Sequence, residues 1–550
     1  MREVFDYALT QSYNMAKREL RTSPLNLAVH KYDMSLLRPS IQQYWGIQNA
    51  QPFFPSIEKL FKTDEIENAG EYGVKLQDGM TSVVGESLVR TSSGPKEVHK
   101  KVTMLLSPYK WMQGDYGVSL GLPTTTEQAN AVFQKLQNTN NAGYVGAIVS
   151  IALSQSGCQH FPKVYGVFAG KAAKHKIDIS DDYGELAETS WFSQNIGKLF
   201  DIQISEDLQD TPSFSHTRSA RAALQIGDEI TLDNVQELEA QQVDATMADM
   251  NKVFEDGEEK DSESDSSSVS TSYIFNVRSC ECSEDDHDEV IDEEEECEPF
   301  AWATFENVPV QVTVMEKCSG TLYELLMMNP DSEKHLAWMT QVIFALAYAQ
   351  RNFAFTHNDL HANNVMYVST SQEYFYYNCG GVLFKVPTYG YLIKIIDFER
   401  CVAMVKLTGM KEPKLFMSDH FMINEEAGGQ YNYGDYYTQK HPEIKPNASF
   451  DLVRLATSLF WDLFPEGPSH HEYSENTLFK MFMKWLTLED GKSVLFGQSE
   501  ARHDRFHGFH LYKAIARYCK DAVPRKEIMT LKDVYGVSSA EGNPVLVIDF

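Results

Sequence analysis

"FTHNDLHANNVMYV", residues 355–368, sets His357, Asn358, Asp359, His361 and Asn364 between two apolar flanks. Short polar side chains at that density either make a buried turn or form the working parts of a site, and the rest of the chain has to choose between them. About thirty residues on, "YLIKIIDFERC" (391–401) reads as an apolar strand that ends in one carboxylate, Asp397. A rigid strand end fixes a carboxylate oxygen for a metal, and Asn364 is the candidate second ligand. A long amphipathic helix, "KHLAWMTQVIFALAYAQRNF" (334–353), leads into the polar stretch, and far upstream the hairpin "SLVRTSSGPKEVHKKVTML" (87–105) supplies Lys100 and Lys101. A lysine for phosphates, an Asp and an Asn for Mg²⁺, and a further Asp to take a hydroxyl proton are the parts of a phosphoryl-transfer site.

Composition narrows the function classes. The 550 residues are 43% hydrophobic, which allows a sizeable core. A net charge of -30 argues against direct nucleic-acid binding, because phosphate neutralisation needs a basic face. The 8 Cys follow no disulfide or paired zinc-ligand spacing; Cys280 and Cys282 sit close together only within an acidic run. The start, "MREVFDYALT", has charges where an export signal needs an apolar core, and "GYVGAIVSIAL" and "VIFALAYA" are too short to span a membrane. These features predict a soluble, intracellular protein without a membrane span.

Residues 254–299 break the globular pattern with 19 acidic and two basic residues, more than half of the net charge. Such a stretch cannot bury enough apolar surface to offset its ordering entropy and is expected to be a disordered acidic insert, with Ser262, Ser264 and Ser283 as candidate phosphorylation sites. Elsewhere strands dominate early and helical periods late, which predicts an α+β protein of two lobes. The expected division is an N-terminal extension packed on the core (1–69), a small lobe (70–315), a large lobe (316–490) and a C-terminal extension (491–550).

The motifs resemble those of the protein kinase superfamily. "HNDLHANN" looks like the catalytic loop, with His357 at its His, Asp359 at the catalytic base and Asn364 at the metal-binding Asn. "IIDFE" resembles the D-F-G element and makes Asp397 the principal Mg²⁺ ligand. "KLQDGMTSVVGESLVRTSSGPKEVHKKV" (75–102) is similar to the glycine-rich loop and the strands after it, with Lys101 at the phosphate-binding lysine and Leu76, Gly79 and Val84 around the nucleotide. "VTVMEKCSGTLYELL" (312–326) looks like the hinge and places Glu316 and Cys318 beside the adenine. In "HPEIKPNASFDLVRLATSL" (441–459), Pro442 and Glu443 match the end of the activation segment, and Asp451 matches the Asp that braces the catalytic loop. "HFPKVYGVF" (160–168) and "FKVPTYG" (384–390) narrow the resemblance to serine/threonine-protein kinases of large nucleocytoplasmic DNA viruses.

The resemblance implies a two-lobed protein-kinase-like fold with long insertions, a strand-rich small lobe and a helical large lobe. It also implies ATP with Mg²⁺, or Mn²⁺ in its place, a protein substrate, and the host cytoplasm or the virion as the location. Departures are informative. Asn358 replaces the loop Arg, His361 stands where protein-serine kinases carry Lys, and Gln77 and Ser82 replace two of the three loop glycines. The Glu that should pair with Lys101 is missing from "NAGYVGAIVSIALS" (141–154), where Gly146 takes its place; Glu127 is the nearest upstream candidate. Glu399 stands where relatives carry Gly, so the metal-binding segment is expected to keep one inward conformation. A small-molecule kinase of the aminoglycoside or choline type, and a pseudokinase scaffold, are the alternatives that these departures leave open.

Overall fold

"FAWATFENVPVQVTVME", Phe300–Glu316, is rich in β-branched and aromatic residues and forms the longest strand described, with Val308, Val310, Val312 and Val314 fully buried. It belongs to a computed structural model that describes residues 24–62, 66, 68–116, 121–122, 131–180, 182–205, 300–422, 425, 427, 430–431, 446–488, 490–496, 506 and 509–549. The strands of its sheet, in chain order, are β1 (Ile47–Gln51), β2 (Met80–Gly85), β3 (Leu88–Thr91), β4 (Gly94–Met104), β5 (Val164–Asp178), β6 (Asp201–Ser205) and β7 (Phe300–Glu316). They run β1-β5-β7-β4-β3-β2 across a fully antiparallel seven-stranded sheet, with β6 also paired to β7. The edge strand β1 falls within the span 1–69, so residues 47–51 of that span are part of the sheet. Ser205 and Phe300 are direct partners across β6 and β7, so the chain between them leaves and re-enters the sheet at one point. The acidic stretch 254–299 and its serines fall in that interval, outside the described residues.

Between β4 and β5 runs helix α1 (Ala142–Ser154), capped by Asn141, whose side chain accepts from the Gly143 N–H. Residues 142–153 are all buried, as expected of a helix that is apolar all round. Gly143 fits it against the sheet: a Cβ there would sit 3.2 Å from both Gln311 Cβ and Leu105 Cδ2.

The second half contains the long helix α2 (Ser332–Phe353), α3 (Phe450–Leu463) and α4 (Phe509–Tyr518), but it holds more sheet than its helical periodicity suggests. Strands β8 (Val365–Ser369), β9 (Tyr374–Cys379), β10 (Val382–Pro387), β11 (Tyr391–Ile395), β12 (Val402–Val405) and β13 (Lys414–Met417) lie between α2 and α3. β9 and β10 form a hairpin whose turn is Gly380-Gly381, both at positive φ, the backbone that a two-residue hairpin turn demands. β8 pairs with β11, and Gln341 of α2 holds β11 by accepting from the Ile393 N–H at 3.0 Å and donating to the Tyr391 carbonyl at 3.1 Å. Helix α2 and strand β11 therefore fix the two ends from which the polar loop and Asp397 emerge. No helix among the described residues is long and apolar enough to cross a membrane.

Candidate active site

Helix α2 ends at Ala354, which adopts the left-handed conformation, and the chain turns sharply into Phe355 and Thr356. The buried side chains of Phe355 and Leu360 anchor the stretch on either side of His357, Asn358 and Asp359. The backbone N–H groups of His357 and Asn358 both donate to the Asp451 carboxylate on α3, at 2.9 and 3.0 Å. Asn358 takes a left-handed backbone (φ 67), which Asn tolerates better than most residues. Its amide donates to the Arg400 carbonyl at 2.9 Å and its side-chain oxygen accepts from the Tyr431 hydroxyl. The residue in the Arg position is thus an internal brace. His357 Nε2 donates to the Ile396 carbonyl at 2.7 Å, and the Ile396 N–H donates to the Asn364 carbonyl at 3.0 Å. Loop and strand end are joined through these two bonds.

Asp397 follows Ile396 with φ 65, a left-handed backbone that costs a non-glycine residue about 1–2 kcal/mol. Its carboxylate lies 2.5 Å from Lys101 Nζ on β4, so the segment faces inward. Lys101 has a second partner in Glu399 Oε1 at 3.0 Å, and the Thr103 hydroxyl donates to the same oxygen. Glu399 is not among the residues with positive φ; the left-handed residue of the segment is Asp397. Burial would lower the Lys101 ammonium, but the Asp397 and Glu399 carboxylates outweigh it and raise its pKa. Burial works against ionisation of Asp397, yet the ammonium of Lys101 holds its carboxyl well below the usual range. Both groups stay charged at neutral pH. Asp397 and Asn364 offer one carboxylate and one amide oxygen, a set that suits Mg²⁺ when phosphates complete its shell. Among the described residues, no cluster of three or more His, Cys, Asp or Glu could hold a metal alone.

Asp359 is mostly buried and accepts from the Tyr512 hydroxyl at 2.7 Å, with Arg400 Nη1 at 3.8 Å from its other oxygen. Its backbone carbonyl accepts from the Asn364 amide at 2.9 Å. Tyr512 comes from α4, and burial pushes its phenol pKa up, so it serves Asp359 as a donor. Burial pushes His361 down to about 4, so it is neutral at pH 7 and brings no charge to where a Lys was expected.

One curated relative is similar to part of the chain: "Putative serine/threonine-protein kinase R400" of Acanthamoeba polyphaga mimivirus, 31% identical over 121 residues. The match spans 20% of this chain and 25% of that protein. No family model matches. The likeness hints at a kinase-like relationship.

The structure therefore brings Lys101, Asp359, His357, Asn364 and Asp397 into one hydrogen-bonded group with Asp451 behind it. The expected nucleotide-binding residues are more dispersed. Leu76 is buried and Gly79 stands just before β2, while the turn between β2 and β3 is Glu86-Ser87, beyond Val84. A Cβ at Gly79 would meet nothing closer than 3.7 Å, so that position does not require glycine. Val84 lies at a break in the β2–β3 register. Glu316 ends β7 and pairs with the buried Lys394 at 3.0 Å, and its backbone N–H donates to the Lys163 carbonyl. Burial pushes the Cys318 thiol up to about 12, which leaves it unreactive. Glu127, Pro442 and Glu443 lie outside the described residues. Sequence reading missed Tyr512 and the pairing of Glu399. For Tyr512 the only signal was the amphipathic "FHLYKAIARY"; for Glu399 it was the coincidence of a Glu two residues after Asp397 with a Gly in the helix.

Proposed function

We propose that the chain transfers the γ-phosphoryl group of ATP to Ser or Thr hydroxyls of a protein substrate, with Mg²⁺ or Mn²⁺. The observation that carries this reading is the convergence of three distant segments: Lys101 meets Asp397, Asp397 follows the residue bonded to Asn364, and Asn364 is bonded to Asp359. In the proposed reaction Asp359 orients the acceptor hydroxyl and takes its proton as the new O–P bond forms. The bond between the γ-phosphorus and the ADP oxygen breaks, and ADP leaves. Lys101 holds the phosphates, while Asn364 and Asp397 would hold the metal, which when bound offsets the charge on the phosphate oxygens. His357 ties the loop to the strand end.

In this reading residues 70–315 and 316–490 are the two lobes of a kinase-like fold, and the nucleotide lies between Leu76, Val84 and the segment from Glu316 to Cys318. A viral origin, with the host cytoplasm or the virion as location, belongs to the same proposal. A neutral His361 where a Lys was expected favours one second reading, a kinase of small molecules. The test is purified protein with Mg²⁺ and labelled ATP, offered casein, a basic protein and a panel of small alcohols and amines. Label on protein Ser or Thr supports the proposal; label confined to the small acceptors reassigns the substrate class; label on neither contradicts both readings.

A further inference from the structure

Helix α1, which packs on the sheet at Thr103 and Gln311, has no carboxylate to offer Lys101: from Ala142 to Leu153 it reads "AGYVGAIVSIAL", and every one of these residues is buried. Lys101 nevertheless has Glu399 Oε1 at 3.0 Å beside Asp397 at 2.5 Å. Gly146 explains how Glu399 gets there. A Cβ on Gly146 would lie 2.9 Å from Glu399 Cγ and 3.4 Å from its Cα and its backbone nitrogen, so a side chain at position 146 would collide with Glu399 as it now lies. Thr103, two residues beyond Lys101 and so on the same face of β4, donates to Glu399 Oε1 and fixes the carboxylate. The next residue, Arg400, is tied by its carbonyl to Asn358 in the polar loop.

We infer that Glu399 is the positioning residue for Lys101, carried on the same segment as the metal ligand Asp397 instead of on the helix. The inference rests on the proposed role of Lys101 in holding ATP phosphates. Its consequence is that a shift of α1 cannot by itself remove the carboxylate from Lys101; only a rearrangement of residues 397–400 can. The positions of Gly146 and Glu399 are coupled: the missing side chain on the helix is the space that the other one fills.

The coupling can be tested by exchange. In the full chain, Lys101→Met, Glu399→Gln, Glu399→Gly, Gly146→Glu, the double variant Gly146→Glu/Glu399→Gly, and Lys101→Met with Glu399→Gln added are compared by thermal melting, by calorimetric binding of ATP, and by kcat and KM for label transfer. A Glu at 146 starts beside the present Cγ of Glu399, so its carboxylate can reach the same ammonium, and neither change demands an unusual backbone. Loss of a charge-assisted contact predicts roughly a 10- to 100-fold fall in kcat/KM for both Glu399 single variants, with weaker ATP binding. The double variant should regain about tenfold over Glu399→Gly, and Glu399→Gln should change little once Lys101 is already Met. A double variant no better than Glu399→Gly, or Glu399→Gln within about threefold of wild type, overturns the inference. If Lys101→Met binds ATP and transfers label as wild type does, the reading of Lys101 itself fails, a result distinct from failure of the exchange.

Discussion

Asp451 is fully buried, and its carboxylate accepts the N–H groups of His357 and Asn358 at 2.9 and 3.0 Å. Replacing it with Ala strands two buried donors, and at about 1–3 kcal/mol each the loss is roughly 2–6 kcal/mol. An opposing effect has the same order. Burial pushes the Asp451 carboxyl from 3.8 up to about 6, against the pull of His357 and the two N–H groups. At about 1.4 kcal/mol per unit, the ionised group is held at pH 7 at a cost of about 3 kcal/mol, which the Ala variant recovers. The net penalty at neutral pH therefore lies between about -1 and about 3 kcal/mol. It must grow on acidification. A carboxyl whose folded pKa is raised contributes stability that is fully present below pH 3.8 and is lost as pH rises through 6, so the wild-type chain gains on going from pH 7 to pH 5 while the variant does not. The difference is on the order of 1 kcal/mol. Urea unfolding followed by tryptophan fluorescence at the two pH values measures it, because the titrating groups away from Asp451 are shared and cancel. An Asp451→Ala penalty that is the same at pH 5 as at pH 7, or smaller, would refute the reasoning.

Three further outcomes are expected. His160 is fully buried, donating from Nδ1 to the Ile393 carbonyl at 2.9 Å and accepting from the Tyr377 hydroxyl at 2.8 Å at Nε2, and burial pushes it down to about 4. A His with a depressed folded pKa contributes stability present above 6.5 and lost as pH falls towards 4, so up to about 3 kcal/mol should disappear over that range in wild type and not in His160→Leu; equal acid slopes would count against it. Tyr512→Phe keeps the ring and removes the donor to Asp359, and should lower kcat about tenfold with ATP affinity unchanged, whereas a raised kcat would mean that the phenol competes with the acceptor hydroxyl. Replacing residues 206–299 by a short Asn-Gly turn between Ser205 and Phe300 should leave the melting temperature within a few degrees, since these two residues already face each other across the sheet; recovery of only aggregated protein would show that the segment is structural.

What the sequence made legible was local. The polar loop and "IIDFE" could be read because their side chains act close to where they stand in the chain, and the helix and strand that frame them have clear periods. The α+β class followed from the same periods. The Lys101 partner was not legible because it depends on residues 101, 146 and 399 meeting in space. Glu399 stands where the resemblance calls for Gly, but Asp397 carries the left-handed backbone and Glu399 turns inward to Lys101. Tyr512 is 153 residues from Asp359, and no pattern in "FHLYKAIARY" distinguishes Tyr512 from Tyr518. Gly79 comes to the nucleotide loop only through the resemblance, and strand pairing puts the β2–β3 turn at Glu86-Ser87.

The most direct test of the account compares label transfer from ATP to protein acceptors by wild type, Asp359→Asn and Asp397→Asn, with circular dichroism to confirm that all three fold. The account predicts folded variants whose transfer falls by about 10² to 10⁴, the range that one positioned acid–base group supplies. Transfer within about tenfold of wild type in either folded variant would contradict it.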